Sequence, residues 1–209
     1  MRFWFDGLNS TILETMNIDA LIAQRVRDLR KARGYTLEEL ADASGVSRSA
    51  ISLIERKETS PTAAVLSRLA DALGVSLAAL FSDELQQAEQ NPLSAFSDQR
   101  VWTDPASGYI RRNVSPRGFA SPIELVDVTF PPGKSVAVEN IVRSVVTHQQ
   151  VWVLEGEMQI TVGDATWQLT TGDCLAVVLD QPLVFQNPGL KPARYLVALT
   201  TLPSTTGNA

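Results

Sequence analysis

The stretch from Thr36 to Glu55, TLEELADASGVSRSAISLIE, constrains the fold most, because it encodes two short helices and the turn between them. Thr36 and Glu39 have the T-x-x-E spacing of a capping box, in which two residues satisfy each other's exposed amides at a helix start. Gly45 follows the first helix, where a left-handed backbone favours glycine. Ser47 is placed to cap the second helix. The sequence therefore predicts two capped helices joined by a tight turn.

The second of these helices has an apolar face and a polar face. Ala50, Ile51 and Ile54 recur on the inward face. The outward residues are cations and short hydrogen-bonding groups at the start of an exposed helix, which suits the reading of base edges in a DNA major groove. We expect base contacts from Arg48, Ser49, Ser52 and Leu53, and phosphate contacts from Thr36, Ser47, Arg56 and Lys57.

Residues from about Arg25 to Phe81 resemble the DNA-binding domain of phage-repressor-type (xenobiotic-response-element type) regulators. The resemblance implies an all-α, five-helix, lambda-repressor-like domain over residues 18–81. We expect its first helix over Ile18–Ala32, a fourth opened by Pro61-Thr62, and a short fifth helix from Ser76.

Two residues near the end of the predicted recognition helix need separate interpretation. The resembled family usually has glycine where this chain has Lys57, so we expect backbone strain if that position needs a positive φ. Glu55 is interpreted as structural, since a carboxylate at the phosphate face would repel DNA.

Composition limits the compartment and the partners. The single cysteine, Cys174, excludes an intrachain disulfide and favours a reducing, cytoplasmic location. The sequence has no apolar run long enough to span a membrane. The net charge of −5 is unevenly distributed: residues 20–81 carry +2, and residues from 82 onward carry −5. This asymmetry fits a DNA-facing first half, and the small positive charge predicts that a dimer is needed for tight binding.

Two segments flank the predicted helical domain. Residues 1–17 form an N-terminal extension that contains Phe3-Trp4-Phe5. Two interpretations of it stay open: a disordered or partner-docking tail, or an upstream extension with the natural start at Met16. Residues 82–98 are polar up to Asn91-Pro92 and are predicted to be a linker.

From Gln99 the hydrophobic period changes to two, and short Val-, Ile- and Thr-rich runs alternate with Pro and Gly turns. This pattern predicts an antiparallel sandwich or barrel over residues 99–203, followed by a tail over 204–209. The expected strands are Arg100–Thr103, Tyr109–Val114, Ile123–Phe130, Val136–Val142, Val145–Leu154, Glu157–Val162, Ala165–Leu169, Leu175–Val178, Leu183–Gln186 and Tyr195–Leu202.

Three motifs in this half resemble the cupin family of double-stranded β-helix barrels. They are PPG at Pro131–Gly133, VWVLEGEMQI at Val151–Ile160 and GDCLAVVLDQPLVFQNPG at Gly172–Gly189. The resemblance spans roughly Val101 to Leu202. A phage-repressor-type domain followed by a cupin is a familiar architecture of bacterial regulators.

Many cupins hold a metal through two or three histidines and one glutamate. The corresponding positions here are Gln149 for the glutamate, Val142–Val145 for the paired histidines and Leu183 for the last histidine. We therefore predict no metal and no cofactor. His148 lies next to Gln149 and should point to the opposite side of its strand.

The interior of the predicted barrel has two interpretations. It is filled by its own side chains and serves only to dimerise, or it holds a small, mainly apolar or amphipathic effector. Cys174 is expected to be buried filler, and core packing is the default for Trp102, Trp152 and Trp167. The predicted pocket residues are Arg143, Gln149, Val151, Leu183, Phe185 and Asn187.

Together these features predict a sequence-specific DNA-binding transcriptional regulator that is not an enzyme, dimerises through its cupin domain and senses an effector there. Two alternatives remain: a cupin enzyme with an appended DNA-binding domain, and an antitoxin-like DNA-binding module with a protein partner.

Overall fold

The computed structural model describes residues 18–81, 91–116, 119, 121–138 and 145–203. Within these ranges, four α-helices are followed by ten β-strands. The predictions for the Phe3-Trp4-Phe5 run, for most of the linker and for Arg143 concern residues outside the described ones.

The helical domain contains α1 (Ile18–Ala32), α2 (Leu37–Ser44), α3 (Arg48–Glu55) and α4 (Ala63–Leu73). Both predicted caps are present: the capping box at Thr36 is complete, and the Ser47 side chain accepts a hydrogen bond from Ala50 N. Gly45 has the expected left-handed backbone, with φ of 65°. The bounds of α1 match the sequence prediction.

The predicted fifth helix is a single 3-10 turn, Ala78–Phe81. Ser76 begins this turn as expected, because its Oγ accepts a hydrogen bond from Ala79 N at 3.1 Å. Leu80 and Phe81 are buried against the other helices. One turn is enough to bury both side chains, so a longer helix is not needed here.

A single apolar core holds the helical domain together. Its members come from all four α-helices, so the angle between α2 and α3 is set by shared packing as well as by their turn. Each large side chain buried in this way contributes roughly 1.5–3 kcal/mol relative to an exposed one. The fully buried residues include Ile22, Val26, Leu40, Ile51, Leu66, Leu69 and Leu73.

The ten strands form two antiparallel sheets, which confirms the predicted all-β second domain. The six-stranded sheet has the order β1-β2-β3-β10-β5-β8, and the four-stranded sheet has the order β4-β9-β6-β7. The strands are β1 Val101–Thr103, β2 Ile110–Asn113, β3 Glu124–Phe130, β4 Ser135–Val138, β5 Val145–Glu155, β6 Glu157–Val162, β7 Ala165–Thr170, β8 Cys174–Val178, β9 Leu183–Gln186 and β10 Ala193–Pro203.

Alternation along β5 separates the barrel interior from its outer face. Gln149 and Val151 are buried, whereas His148 and Trp152 are exposed, so His148 points away from the interior as predicted. Cys174 pairs with Trp152 across β8 and β5, and it is exposed. The prediction of a buried Cys174 is therefore wrong, because the alternation of β8 directs this side chain outward.

The three tryptophans considered for core packing differ in environment. Trp102 is buried and meets Phe81 edge to face, with ring centroids 5.5 Å apart. Trp152 and Trp167 are 48% and 39% exposed, which corrects the default expectation for both. They lie on different sheets, so they belong to two separate outer surfaces.

The helical domain packs directly on the barrel. Helix α4 lies against β4, and its first amide, Ala63 N, donates to the buried Asp104 Oδ1 at 2.9 Å. Asp104 Oδ2 also accepts from Ser107 N at 2.8 Å, which fixes the carboxylate in the β1–β2 turn. The contact between Phe81 and Trp102 lies in the same interface.

Candidate nucleic-acid interface and barrel cavity

The first turn of α3 presents polar side chains to solvent. Arg48 is 65% exposed, and its only described ion pair is a loose one, with Arg48 Nε 3.5 Å from Glu38 Oε2. Ser49 is exposed, and its Oγ lies 3.2 Å from Ser47 Oγ. Leu53, one turn later, is 37% exposed. These side chains can reach a ligand without any rearrangement of the core.

The far end of α3 is fixed from inside the domain. Glu55 is buried, and its carboxylate accepts two hydrogen bonds from Arg30, at 2.6 Å from Nε and 2.8 Å from Nη2. The hydrogen bonds that Arg30 donates to the Glu55 carboxylate raise the pKa of Arg30 above its ordinary value. The geometry agrees with a structural role for Glu55 and explains how α3 is held at a constant angle to α1.

Arg56 and Ser52 are engaged with neighbours at the exposed end of α3. Arg56 donates to Ser52 Oγ, and its guanidinium pairs with Glu58 at 2.7 and 3.0 Å. The hydrogen bonds from Arg56 lower the pKa of Glu58. Both partners are about half exposed, so the pair is open to exchange with another anion.

Lys57 has a φ of 65° and is the one non-glycine residue with positive φ among those described. Lys57 N donates to Ile54 O at 2.9 Å, and Glu58 N donates to Leu53 O at 2.9 Å. These two bonds form a Schellman motif with Lys57 at the left-handed position, where glycine is usual. The position thus requires positive φ, and the lysine carries the predicted strain.

A cavity of about 80 Å³ lies inside the barrel, at the end covered by the helical domain. This is several times the roughly 10–15 Å³ that one water requires. Three of the sequence-predicted pocket residues line it: Gln149, Leu183 and Phe185. Ser67, Ser76 and Leu77 of the helical domain also line it, so the cavity is shared by both domains.

Two of the predicted pocket residues lie elsewhere in the described barrel. Val151 is fully buried further along β5, and it is not among the residues that line the cavity. Asn187 is also buried, but its amide is used by the backbone, because Nδ2 donates to Phe130 O and Lys191 O while Oδ1 accepts from Gly189 N. Strand alternation predicted that both side chains face the barrel interior. It does not show whether an inward side chain lines a cavity or packs in the solid core.

The two halves of the chain match two known families. Residues 26–80 match the helix-turn-helix family, and residues 126–199 match the cupin domain family. The chain is a helix-turn-helix protein with a C-terminal cupin domain.

Two similar regulators align with most of this helix-turn-helix–cupin chain. It is 26% identical over 174 residues to the HTH-type transcriptional regulator SutR of Escherichia coli (strain K12), across 83% of this chain and 90% of SutR. It is 25% identical over 180 residues to the HTH-type transcriptional regulator PuuR of the same organism, across 85% of this chain and 93% of PuuR. The crystal structure of an HTH_3 family transcriptional regulator from Vibrio cholerae superposes with a TM-score of 0.67 at 24% identity, over 88% of this chain and 96% of that one. This superposition supports the two-domain fold.

The described residues include neither a membrane-spanning helix nor a cluster of metal-binding side chains. None of the described helices is both long and apolar enough to cross a membrane. The described part of the cupin domain and of the helices has no group of three or more His, Cys, Asp or Glu side chains that could hold a metal ion.

Two functional residues, Arg111 of β2 and Asp104 of the preceding turn, were not predicted from the sequence. Arg111 lines the barrel cavity, and Asp104 joins the barrel to α4. The two adjacent arginines of β2 were a signal for Arg111, because successive side chains of a strand point to opposite faces. Nothing in the sequence marked Asp104, whose partner lies 41 residues away.

Proposed function

We propose that the protein is a sequence-specific, DNA-binding transcriptional regulator that inserts the first turn of α3 into the major groove. The exposed first turn of a helix whose other end is anchored by the Glu55–Arg30 pair is the observation that carries this proposal. A rigid helix with free polar side chains at its leading end is the arrangement that reads base edges. The names of SutR and PuuR, which are HTH-type transcriptional regulators, support it.

In this proposal, the contacts divide between bases and phosphates. Arg48, Ser49, Ser52 and Leu53 face the bases. Thr36 and Ser47 bind phosphate through their hydroxyl groups. Each oxygen already accepts a bond from its own helix, from Glu39 N and Ala50 N respectively, so each hydroxyl can still donate its hydrogen. The Ser47 hydrogen is available to phosphate when Ser49 is the donor in their 3.2 Å contact. Phosphate contacts from Arg56 and Lys57 complete the set.

Dimerisation through the cupin domain is supported by an apolar outer surface on the six-stranded sheet. This surface, the β5–β8–β10 face, is centred on Trp152, which pairs with Leu196 on one side and Cys174 on the other. Further along the same face lie Val146, Val178, Ala198 and Leu202. Gln150, His148 and Thr200 lie among these residues, so the face is mixed, with its apolar centre at Trp152. An exposed tryptophan with apolar neighbours is typical of an interaction site. Two copies present two α3 helices to half-sites about 34 Å apart.

The proposed role of the barrel is binding rather than catalysis. The cavity holds a small effector in a cytoplasmic regulator, and the effector changes DNA binding because it has different affinities for two states of the protein. Ser67 and Leu77 bring the DNA-binding domain to the wall of the cavity, so a ligand there touches both domains.

Genome-wide footprinting of the full-length protein tests the DNA-binding proposal, followed by titration of the recovered site and of a scrambled site of equal length. We expect the recovered site to bind at least about 10³-fold more tightly than the scrambled one at physiological salt, as for specific regulators. Equal affinity for the two sites would contradict sequence-specific recognition.

A further inference from the structure

Arg111 places a positive charge inside the barrel. Its side chain is 6% exposed, and it lines the cavity shared by the two domains. The Arg111 Nε and Nη2 atoms have no hydrogen-bond partner. A buried charge without hydrogen bonds is costly, because the protein must replace the hydration that the charge loses. The site is therefore incomplete as it stands.

The two unpartnered nitrogens lie on the same edge of the guanidinium. The N–H bonds of this edge run parallel, which matches the two oxygens of a carboxylate in a bidentate pair. The groups around Arg111 do not replace such a partner. Tyr109 and Tyr195 are neutral phenols, and Glu124 acts on Arg111 through its charge without closing the Nε–Nη2 edge. Burial lowers the pKa of Arg111 despite these neighbours.

The rest of the cavity wall is mostly apolar. Leu183 and Phe185 lie on β9, and Phe130 lies on β3. Gln149 and Thr147 of β5 add an amide and a hydroxyl to the same wall, and both are buried. A ligand that is complementary to this cavity has an anionic group for Arg111 and an apolar body for the rest of the wall.

Arg111 also belongs to the contact between the domains. Its guanidinium carbon lies 5.1 Å from the centroid of the Phe81 ring, which comes from the 3-10 turn that ends the helical domain. Phe81 in turn meets Trp102 of β1. A charge brought to Arg111 thus changes the electrostatics of a cation–π contact that joins the DNA-binding domain to the barrel.

We propose that the cavity binds a small organic carboxylate, whose anionic group pairs with Nε and Nη2 of Arg111 and whose apolar body packs against β9. This deepens the effector part of the proposed function and rests on it. Ligand occupancy is coupled to the DNA-binding domain through Arg111 and Phe81, and through Ser67, Ser76 and Leu77 at the cavity wall.

The test uses the full-length protein, a set of carboxylates and their neutral amides of the same shape. Acetate, butyrate, hexanoate and benzoate are compared with acetamide, butyramide, hexanamide and benzamide by thermal unfolding and calorimetric titration. We expect at least one carboxylate to raise the unfolding temperature while its amide does not. An absence of any shift with all four acids, or equal shifts from acids and amides, overturns the proposal.

The variant Arg111→Met removes the charge and keeps an apolar side chain of similar length. Since a buried charge with two N–H groups that lack hydrogen bonds is lost, we expect the empty variant to be at least as stable as the wild type. Its affinity for the carboxylate that binds best should fall at least about tenfold, the loss expected when a charge-assisted pair worth 1.4 kcal/mol or more is removed. Unchanged carboxylate affinity in a folded Arg111→Met protein overturns the proposal. If Arg111→Met does not fold, the Arg111→Lys variant is used instead. Lysine keeps the charge but lacks the paired Nε–H and Nη2–H donors, so the affinity for the carboxylate should again fall at least about tenfold.

DNA titration separates this inference from the proposed function. The same carboxylate should change the affinity of the wild type for its recovered DNA site and leave that of Arg111→Met unchanged. If the protein binds no specific DNA, the proposed function fails, while carboxylate binding at Arg111 is still decided by unfolding and calorimetry. If DNA binding is specific but insensitive to a bound carboxylate, the coupling between the domains is overturned.

Discussion

The Glu55 carboxylate and the Arg30 guanidinium form a two-pronged ion pair, with oxygen–nitrogen distances of 2.6 and 2.8 Å, between the last residue of α3 and the last turn of α1. Both side chains are largely buried. Arg27 adds a hydrogen bond to the Glu55 carbonyl oxygen. The buried ion pair and the Arg27 hydrogen bond therefore fix the orientation of α3 relative to α1.

Replacing Glu55 by Gln should destabilise the helical domain by about 3–5 kcal/mol, because it leaves the Arg30 charge buried with a poorer partner. Chemical unfolding followed by circular dichroism measures this loss. The matched control is Glu58→Gln, which breaks the exposed pair with Arg56 and should leave the midpoint almost unchanged. Equal losses in the two variants would contradict a structural role for the buried pair.

Lys57 combines a strained backbone with a charge close to the proposed DNA face, and two substitutions separate these effects. Lys57→Gly should stabilise the protein by about 1 kcal/mol, since glycine adopts positive φ without the cost paid by other residues. Lys57→Ala keeps the strain and removes the same charge. Thermal unfolding should therefore distinguish the variants, while DNA titration should show an equally small loss of affinity in both.

Local signals in the sequence were sufficient for the elements of this fold. The capping box at Thr36 and the cap at Ser47 are encoded within three residues, and both were predicted. Period-two runs located the ten strands, because alternation is also local. The left-handed position of Lys57 was foreseen only through the family resemblance.

Contacts between residues that are far apart in the sequence could not be predicted from local patterns. Arg111 is buried although arginine usually faces solvent, and only the assembled barrel shows which of the two arginines of β2 points inward. The hydrogen bond between Ala63 and Asp104 joins two domains, and no local pattern in the sequence indicates that they are in contact. Cys174 was assigned to the wrong side of β8, because a short apolar run does not show which face it buries.

Arg48→Ala should weaken binding to the recovered DNA site by about 1–3 kcal/mol and relax its sequence preference, as expected for loss of a base contact. The control is Arg194→Ala, which removes an exposed arginine of the barrel and should leave DNA affinity unchanged. Titrations on cognate and scrambled DNA measure both. An equal loss on the two DNAs would instead make Arg48 a phosphate contact.

Tyr109 gives the protein a pH dependence in the alkaline range. Burial raises its pKa to about 12 from the ordinary value of 10.0, so the folded state favours the neutral phenol. Below pH 10 the phenol is neutral in both the folded and the unfolded state, and the stabilisation is complete. Between pH 10 and 12 the unfolded chain loses this proton first, so the free energy of unfolding falls by up to about 1.4 kcal/mol per pH unit. Unfolding by urea across this range should show a shallower decline for Tyr109→Phe than for the wild type. Identical slopes would mean that Tyr109 ionises as easily in the folded protein as in the unfolded chain.

Trp152 should be the main contributor to a dimer formed through the β5–β8–β10 face. A Trp152→Glu substitution places a charge at the centre of this face, where its neighbours Leu196 and Cys174 are apolar or weakly polar. We expect the dimer dissociation constant to rise at least about 30-fold, the factor that corresponds to a loss of 2 kcal/mol at an interface hot spot. Sedimentation equilibrium measures it.

Trp167→Glu is the matched control for this substitution, because Trp167 is similarly exposed but belongs to the four-stranded sheet. It should leave the dissociation constant unchanged if copies meet through the β5–β8–β10 face. If Trp167→Glu dissociates the dimer and Trp152→Glu does not, the copies meet through the other sheet. Because the positive charge of each helical domain is small, the variant that yields monomers should also lose tight DNA binding while its α3 remains folded.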